Sequence, residues 1–272
     1  MLIDLASRGD GNPAPVYAYT GGKTFDPALP CIVFIHGALN DHSVWTLLAR
    51  WFAHHGHAVL AVDLPGHGRS PGAPLPSVEA AADWLPALLD AAGVGRATLV
   101  GHSMGSLIAL ETAARAPQRV ERLVMVGTAY PMKVSAELLE TARERPLQAI
   151  DKVNAFSHAG WAAKPSYPGP GTWLHGASRA LMRRVQAGQR GTNLFHHDFG
   201  VCDRYAAGLE AAARVTCPST LVLGARDQMT GPKQARTLAE TLRARTVTVE
   251  AGHALMAEAP DAVLRALRDA LA

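Results

Sequence analysis

The sequence predicts an α/β protein in which a mostly parallel central sheet is flanked by helices and interrupted by a helical insertion. Two observations carry this. From about residue 30 onward, short apolar, β-rich runs alternate with longer stretches of helical periodicity, the pattern of parallel strands joined by crossover helices. From about Tyr130 to Leu209 the alternation stops, no strand pattern is found, and Gly, Pro and aromatic residues crowd between Phe156 and Phe199. The expected division is a core over residues 1–129 and 210–272 with an inserted cap over 130–209.

The elements follow in order. Pro15 to Thr20 reads as an antiparallel edge strand, and Cys31 to Ile35 as the first strand of the parallel series. Helical periodicity follows at Val44 to His54, then a strand at His57 to Val62 and a turn-rich connection at Pro71 to Pro76. A helix over Val78 to Ala91 leads to a strand at Ala97 to Val100, a helix over Met104 to Ala114 and a strand at Val120 to Val126. After the insertion come strands at Thr220 to Leu223 and Thr246 to Val249. Helices over Pro232 to Arg243 and Pro260 to Leu271 open on proline, which a first helical turn accepts because its missing N–H has no partner there.

Composition bounds the function. With 272 residues, 48% hydrophobic and 18% charged, the chain is suited to a packed domain rather than to disorder. Of 26 basic residues 21 are Arg, scattered with no run longer than Arg183-Arg184, so the clustered positive charge that tracks a phosphate backbone is missing and nucleic acid is not expected. No apolar run reaches the roughly 20 residues that cross a bilayer, and no signal core precedes Asp10, so a soluble, cytoplasmic protein is expected, with no membrane partner. Cys31, Cys202 and Cys217 are odd in number and widely spaced, which suits small buried side chains in a reducing compartment.

Gly101-His102-Ser103-Met104-Gly105 follows a strand pattern and opens a helical one, so Ser103 is expected on a sharp strand-to-helix turn with its hydroxyl exposed. Small residues on either side suit a strained serine that brings its neighbours into close contact. An ordinary helix N-cap would explain the serine but not the glycines. Asp227 ends the apolar run from Leu221, and His253 follows the last strand in Glu250-Ala251-Gly252-His253. Both therefore fall at carboxyl ends of strands, where open α/β sheets hold their sites. Asp227 read as a turn carboxylate and His253 as a surface histidine are the plain alternatives. The segment Val126 to Tyr130 offers no rival carboxylate.

Together with Phe34-Ile35-His36-Gly37-Ala38 and Asp63-Leu64-Pro65-Gly66-His67-Gly68, these segments resemble the α/β-hydrolase superfamily over nearly the whole chain except the cap. The resemblance implies an α/β-hydrolase fold with Ser103 as nucleophile, His253 as base and Asp227 as the acid that orients it. It assigns the oxyanion hole to the backbone amides of Ala38 and Met104. The reaction implied is hydrolysis of a small carboxylic ester, or a thioester or lactone, through an acyl-enzyme, with no cofactor and a small-molecule partner. Cofactor-free perhydrolases share the Gly-His-Ser-Met-Gly elbow more closely than carbon-carbon bond hydrolases do, since those usually show Asn before the serine. A small-molecule receptor that retains the triad is the alternative of another class.

Trp161, Tyr167, Trp173 and Phe195 are candidates for lining a pocket under the cap, and His196 for touching substrate. His36, His54, His55, His57 and His67 read as structural or solvated, and His102 as packing behind the nucleophile. His196-His197-Asp198 does not suggest a metal, because adjacent histidines on an extended chain face opposite ways.

Overall fold

A computed structural model describes residues 1–5, 15–160, 173–188 and 191–272. The strands are β1 (Leu2–Ile3), β2 (Val16–Tyr19), β3 (Cys31–Ile35), β4 (Ala58–Val62), β5 (Ala97–His102), β6 (Val120–Val126), β7 (Ser219–Gly224) and β8 (Arg245–Val249). They form one sheet in the order β1-β2-β4-β3-β5-β6-β7-β8. The pairs β1–β2 and β2–β4 are antiparallel and the remainder parallel. β3, β4 and β5 are buried at every residue, as expected for parallel strands covered on both faces.

The pleat of β3 divides the interior. Cys31, Val33 and Ile35 point into one apolar cluster, and Ile32 and Phe34 into the other. The first cluster is covered by α2 (Val78–Ala91) and α3 (Met104–Arg115) through Leu85, Leu88, Leu107 and Leu110. The second is covered by α1 (Thr46–Ala53) and α11 (Pro260–Leu271) through Leu48, Phe52, Val263 and Leu267. Register sets the level of the strand ends: Ile35 pairs with Gly101, and Gly101 with Met125, so β3, β5 and β6 finish side by side.

Between β6 and β7 lie α4 (Ala136–Glu144), α5 (Pro146–Phe156), α6 (Leu174–Gly188), α7 (Leu194–Arg204) and α8 (Gly208–Arg214), with no strand among the described residues there. Helices α4 to α7 share a third apolar cluster around Ala142, Ile150, Val153, Met182, Leu194, Phe195 and Phe199, which also receives Leu39 from the core. Phe195 is fully buried and stacks on Phe199 with ring centroids 4.4 Å apart. Phe195→Ala is expected to cost roughly 3–5 kcal/mol of unfolding free energy, read as a fall in urea midpoint; a change under about 1 kcal/mol would show that the site collapses around the lost ring.

The last helices are α9 (Arg236–Leu242) and α10 (Leu255–Glu258) before α11. Several boundaries differ from expectation. β5 runs on through His102 rather than stopping at Val100, because Gly101 and His102 continue pairing with Met125 and Val126. The helix expected from Pro232 begins as a 3₁₀ turn, Pro232–Ala235, and ends at Arg243 in the left-handed region (φ 51°). β1 and α10 are too short for any periodicity to announce. No helix among the described residues is long and apolar enough to cross a membrane.

Candidate active site

Ser103 sits between the last residue of β5 and the first of α3 with φ 51° and ψ −119°, a backbone that side chains rarely adopt. The turn is held by Ser103 N–H donating to Val126 O (3.0 Å) and Ser106 N–H donating to Ser103 O (2.8 Å). The flanking glycines are required by two different contacts. A Cβ on Gly101 would run into the carbonyl of Gly105, across the turn itself. A Cβ on Gly105 would instead meet the end of β3, overlapping the Ile35 carbonyl and lying 2.6 Å from His36 O. The motif thus records packing against a distant strand as well as local strain. Ser103 retains 8% exposure, and among the described residues its hydroxyl makes no hydrogen bond.

Asp227 follows β7 and His253 follows β8, and the structure brings them together: His253 Nδ1 lies 2.8 Å from Asp227 Oδ2. The carboxylate is fully occupied. Oδ1 accepts the amides of Met229 and Thr230, both at 2.8 Å, and Oδ2 also accepts the Thr230 hydroxyl at 2.7 Å. Burial pushes the Asp227 carboxyl up, but the attraction of His253 and the hydrogen bonds from His253 and Thr230 outweigh it and hold the group well below the usual carboxylate range. An ionised Asp227 fixes the imidazole with its proton on Nδ1, leaving Nε2 with a free lone pair. His253 and Ser103 both line a cavity of about 590 Å³.

The loop carrying His253 is itself braced by Glu258, a buried carboxylate on α10. It accepts the N–H of Gly252 through one oxygen and that of Ala159, just beyond α5, through the other at 2.8 Å. No sequence signal singled out Glu258 or Thr230. An acid five residues after the histidine, read with the helix that carries it, is the faint trace that was there.

Ala38 follows β3 and Met104 opens α3, where the first N–H groups have no partner within the helix. Ala38 lines the cavity beside Ser103, and its amide makes no hydrogen bond among the described residues. The next residue, Leu39, is held at φ 53° with its N–H donating 2.8 Å to Asp198 Oδ2 on α7. The same oxygen accepts His67 Nε2 at 2.8 Å. A carboxylate on α7 therefore holds the turn that carries Ala38, one of the two residues whose amides the resemblance assigns to the oxyanion hole.

Two buried imidazoles lie behind the site. His36 Nε2 accepts the Leu64 N–H (3.1 Å), and His102 Nε2 lies 2.9 Å from the backbone oxygen of His253. Burial, reinforced by repulsion from His67, pushes the His36 pKa down to about 4, and burial with repulsion from His253 pushes His102 down to about 3. Both are therefore neutral in the fold at pH values where the unfolded chain takes up their protons. Their stabilising contribution is complete above the ordinary value of about 6.5 and is lost as pH falls towards 4 and 3. His67 has the opposite sign: burial pushes it down, but the ion pair with Asp198 outweighs this and raises it, so its contribution fades as pH rises. His102→Gln is expected to remove about one proton from the pH dependence of unfolding free energy between pH 6 and 4, measured by urea titration; an unchanged slope would mean that His102 is protonated in the fold.

The proposed substrate-contacting residues are placed less favourably. Phe195 lies inside the third apolar cluster and does not reach the cavity; Phe199, one turn later on the same face of α7, lines it instead. Trp173 is 56% exposed and stacks on His175 at 5.6 Å without lining the cavity. His196 is half-buried and away from the cavity, and His197 lies 2.9 Å from the Leu75 carbonyl. These two histidines stand on a helix, not on an extended chain, so they diverge by a helical step. Trp161 and Tyr167 lie outside the described residues. Asp41, His42 and Asp63 offer ligand atoms within 4.8 Å of one another. Their oxygens already accept the N–H groups of His42, Ser43 and Arg69 and the Arg184 guanidinium.

An eight-stranded, mostly parallel sheet with a strained serine, a histidine and an aspartate all at carboxyl ends of its strands defines a protein of hydrolase architecture. The chain belongs to the alpha/beta hydrolase family, whose sequence profile matches residues 32–266. It is 34% identical over 225 residues, 78% of this chain and 82% of the relative, to a pimeloyl-[acyl-carrier protein] methyl ester esterase of Chromobacterium violaceum. It is 42% identical over 102 residues to an sn-1-specific diacylglycerol lipase of Mus musculus, a match covering 37% of this chain and only 33% of that protein. Among solved structures, an enol-lactonase from Burkholderia xenovorans superposes with a TM-score of 0.78 at 24% identity, covering 95% of this chain and 96% of that one. An esterase from Thermogutta terrifontis does so with 0.79 at 20% identity, covering 100% and 98%.

Proposed function

We propose that this protein hydrolyses a carboxylic ester through an acyl-enzyme on Ser103. The observation that carries the reading is the 2.8 Å bond between His253 Nδ1 and the Asp227 carboxylate, with His253 and the strained Ser103 on the wall of one cavity. Esterase and lipase names among the relatives support ester chemistry.

The steps follow from the groups present. As Ser103 Oγ attacks the ester carbonyl, its proton passes to His253 Nε2, and the ionised Asp227 stabilises the imidazolium that forms. Negative charge collects on the former carbonyl oxygen, where the amides of Ala38 and Met104 are the available donors, each worth about 3 kcal/mol if aligned. The C–O bond then breaks, and the leaving alkoxide takes the proton from Nε2. Water then gives a proton to the same imidazole as it attacks the acyl carbon, the C–Oγ bond breaks, and that proton passes from Nε2 to Ser103 Oγ as the acid is released. No cofactor enters these steps. Residues 130–209 act as a cap in this reading, with Val153, Leu181, Met182 and Phe199 excluding water from the reacting bond.

The test is labelling with a serine-directed fluorophosphonate, followed by assays on nitrophenyl esters of increasing acyl length, on aryl dienoates and on acetate with peroxide. One adduct per chain at Ser103 with ester turnover supports the proposal. Dienoate cleavage without ester cleavage would replace it with carbon-carbon bond hydrolysis, and stoichiometric labelling with almost no turnover would point to a receptor.

A further inference from the structure

The turn after β3 is gripped at two points by the helices between β6 and β7. Leu39 has a φ of 53°, a backbone that turns normally give to Gly or Asn and that is strained for leucine. Its side chain is fully buried in the third apolar cluster, and its N–H donates to Asp198 Oδ2. Inside the turn the bonds are longer: the Asn40 N–H lies 3.3 Å from Gly37 O, and the Asn40 side-chain amide 3.1 Å from Ala38 O.

Asp198 Oδ2 is shared with His67, whose Nε2 lies 2.8 Å away while its Nδ1 lies 3.1 Å from the Pro65 carbonyl. Both neighbours of the ring are acceptors only. An imidazole offers two donors only when it carries two protons, so this is the geometry of a buried imidazolium. Burial works against the charged ring, but Asp198 outweighs it and raises the His67 pKa. The other titratable groups around the pair leave that proton in place. His36, with ring centroids 4.9 Å from His67, is kept neutral by burial, and the Asp63 carboxylate attracts the charged ring. On α7 itself, burial holds Cys202 as a thiol, and His197 is turned to the Leu75 carbonyl. From α2 and α3 the pair meets Ala81, Met104 and Ile108 across a cavity of about 20 Å³, and none of these titrates.

We propose that Asp198 and protonated His67 are positioning residues for the oxyanion hole: the ion pair fixes the Leu39 amide, and with it the Ala38–Leu39 peptide, so that the Ala38 N–H stays aimed at the developing oxyanion. This rests on the acyl-enzyme reading above and deepens it. Neither side chain lines either of the cavities that reach Ser103, so their effect on the reaction passes through the turn. While the pair is intact, the strain at Leu39 is met by a charge-assisted hydrogen bond from a carboxylate whose own charge is balanced. Loss of the His67 proton leaves one ring nitrogen without a hydrogen for its acceptor and Asp198 as a buried carboxylate without a counter-charge, an arrangement that favours relaxation of the turn. Because the pKa is raised in the fold, the pair is present at low pH and is lost as pH rises through that value, so kcat falls on the alkaline side.

The test measures kcat and KM for a short nitrophenyl ester from about pH 6 to 10 in the parent, Asp198→Ala and Asp198→Asn. Asp198→Ala removes the acceptor and is expected to lower kcat roughly 10- to 100-fold, part of the 10²–10³ lost with a whole oxyanion donor, with KM within about threefold. Asp198→Asn keeps an oxygen for the Leu39 and His67 N–H groups but no charge. It is expected to recover kcat to within about fivefold of the parent near pH 7 and, with its imidazole neutral, to lose the alkaline limb that the parent shows. Parent-like kcat in Asp198→Ala, a change confined to KM, equal losses in the Ala and Asn variants, or an alkaline limb absent from the parent or unchanged in Asp198→Asn overturns the assignment. Should Asp198→Ala fail to fold, His67→Gln is read instead, with the alkaline limb expected to vanish there too and its persistence overturning the proposal. Absence of a fluorophosphonate adduct and of ester turnover in the unaltered protein would remove the acyl-enzyme and this proposal with it, whereas a turning-over parent with unaffected variants removes the proposal alone.

Discussion

Ser103→Ala is expected to reduce kcat for ester hydrolysis by about 10⁶-fold while the fold is retained. The size of the loss follows from covalent chemistry: without Oγ no acyl-enzyme forms, and His253 has no proton to accept at the attacking position. Retention of the fold follows from the local structure. The Ser103 hydroxyl makes no hydrogen bond among the described residues, and the φ of 51° strains Ala and Ser alike. Unfolding free energy should therefore stay within about 0.5 kcal/mol of the parent, as for a substitution that removes no packing or pairing. Steady-state rates, fluorophosphonate labelling and a urea titration on one preparation check all three parts. A variant that turns over within tenfold of the parent would sink the mechanism.

Asp227→Asn is expected to lower kcat by about 10⁴-fold with KM little changed. The reason lies in which oxygen does what. Oδ1 accepts two backbone amides, from Met229 and Thr230, so an Asn at this position keeps its carbonyl there. Its NH₂ then takes the place of Oδ2, facing His253 Nδ1 and the Thr230 hydroxyl. A donor opposite Nδ1 forces that nitrogen to become an acceptor and moves the ring proton to Nε2, the atom that receives the Ser103 proton in the proposed mechanism. The Thr230 hydroxyl, which donates to Oδ2 and lies 3.1 Å from Nδ1, can turn to accept from the new amide, so the loop remains packed. The prediction is a catalytic loss with near-native circular dichroism. A loss below tenfold would mean that the carboxylate does not set the tautomer.

The helices between β6 and β7 are tied to the loops around Ser103 by hydrogen bonds. Asp198 on α7 holds the Leu39 amide, next to Ala38, and pairs with His67 below it. The end of α5 contributes Ala159 to the Glu258 brace and Ser157, whose carbonyl accepts the N–H of Ala254 at 2.8 Å. The loops carrying Ala38 and His253 are thus both hydrogen-bonded to the segment between β6 and β7.

Outside the stretch between β6 and β7, strand and helix order was legible because the longer elements announce themselves over contiguous residues, whereas β1 and α10 are too short to do so. The unbroken apolar run of β3, the spacing along α2 and the prolines opening the last helices needed no partner to be read. The glycine–serine motif was legible for the same reason, although one of its glycines answers to the carbonyls of Ile35 and His36, some 70 residues away. The aromatic residues near the site were not legible. Phe195 and Phe199 are alike in composition and helical face, yet one fills the interior of the cluster and the other reaches the cavity.

By itself, then, the sequence determined the alternating architecture and the order in which a hydroxyl, a carboxylate and an imidazole follow the strands, since periodicity and turn chemistry are properties of short stretches of chain. Only the tertiary structure decided that Thr230 and Glu258 brace the Asp227–His253 pair, that Asp198 reaches the Leu39 amide, and that Phe199 rather than Phe195 lines the cavity beside Ser103. The physical reason is that burial and hydrogen-bond pairing are relations between distant segments. A carboxylate or a ring acquires its role from what folding sets against it, and no local pattern in the chain encodes that neighbour.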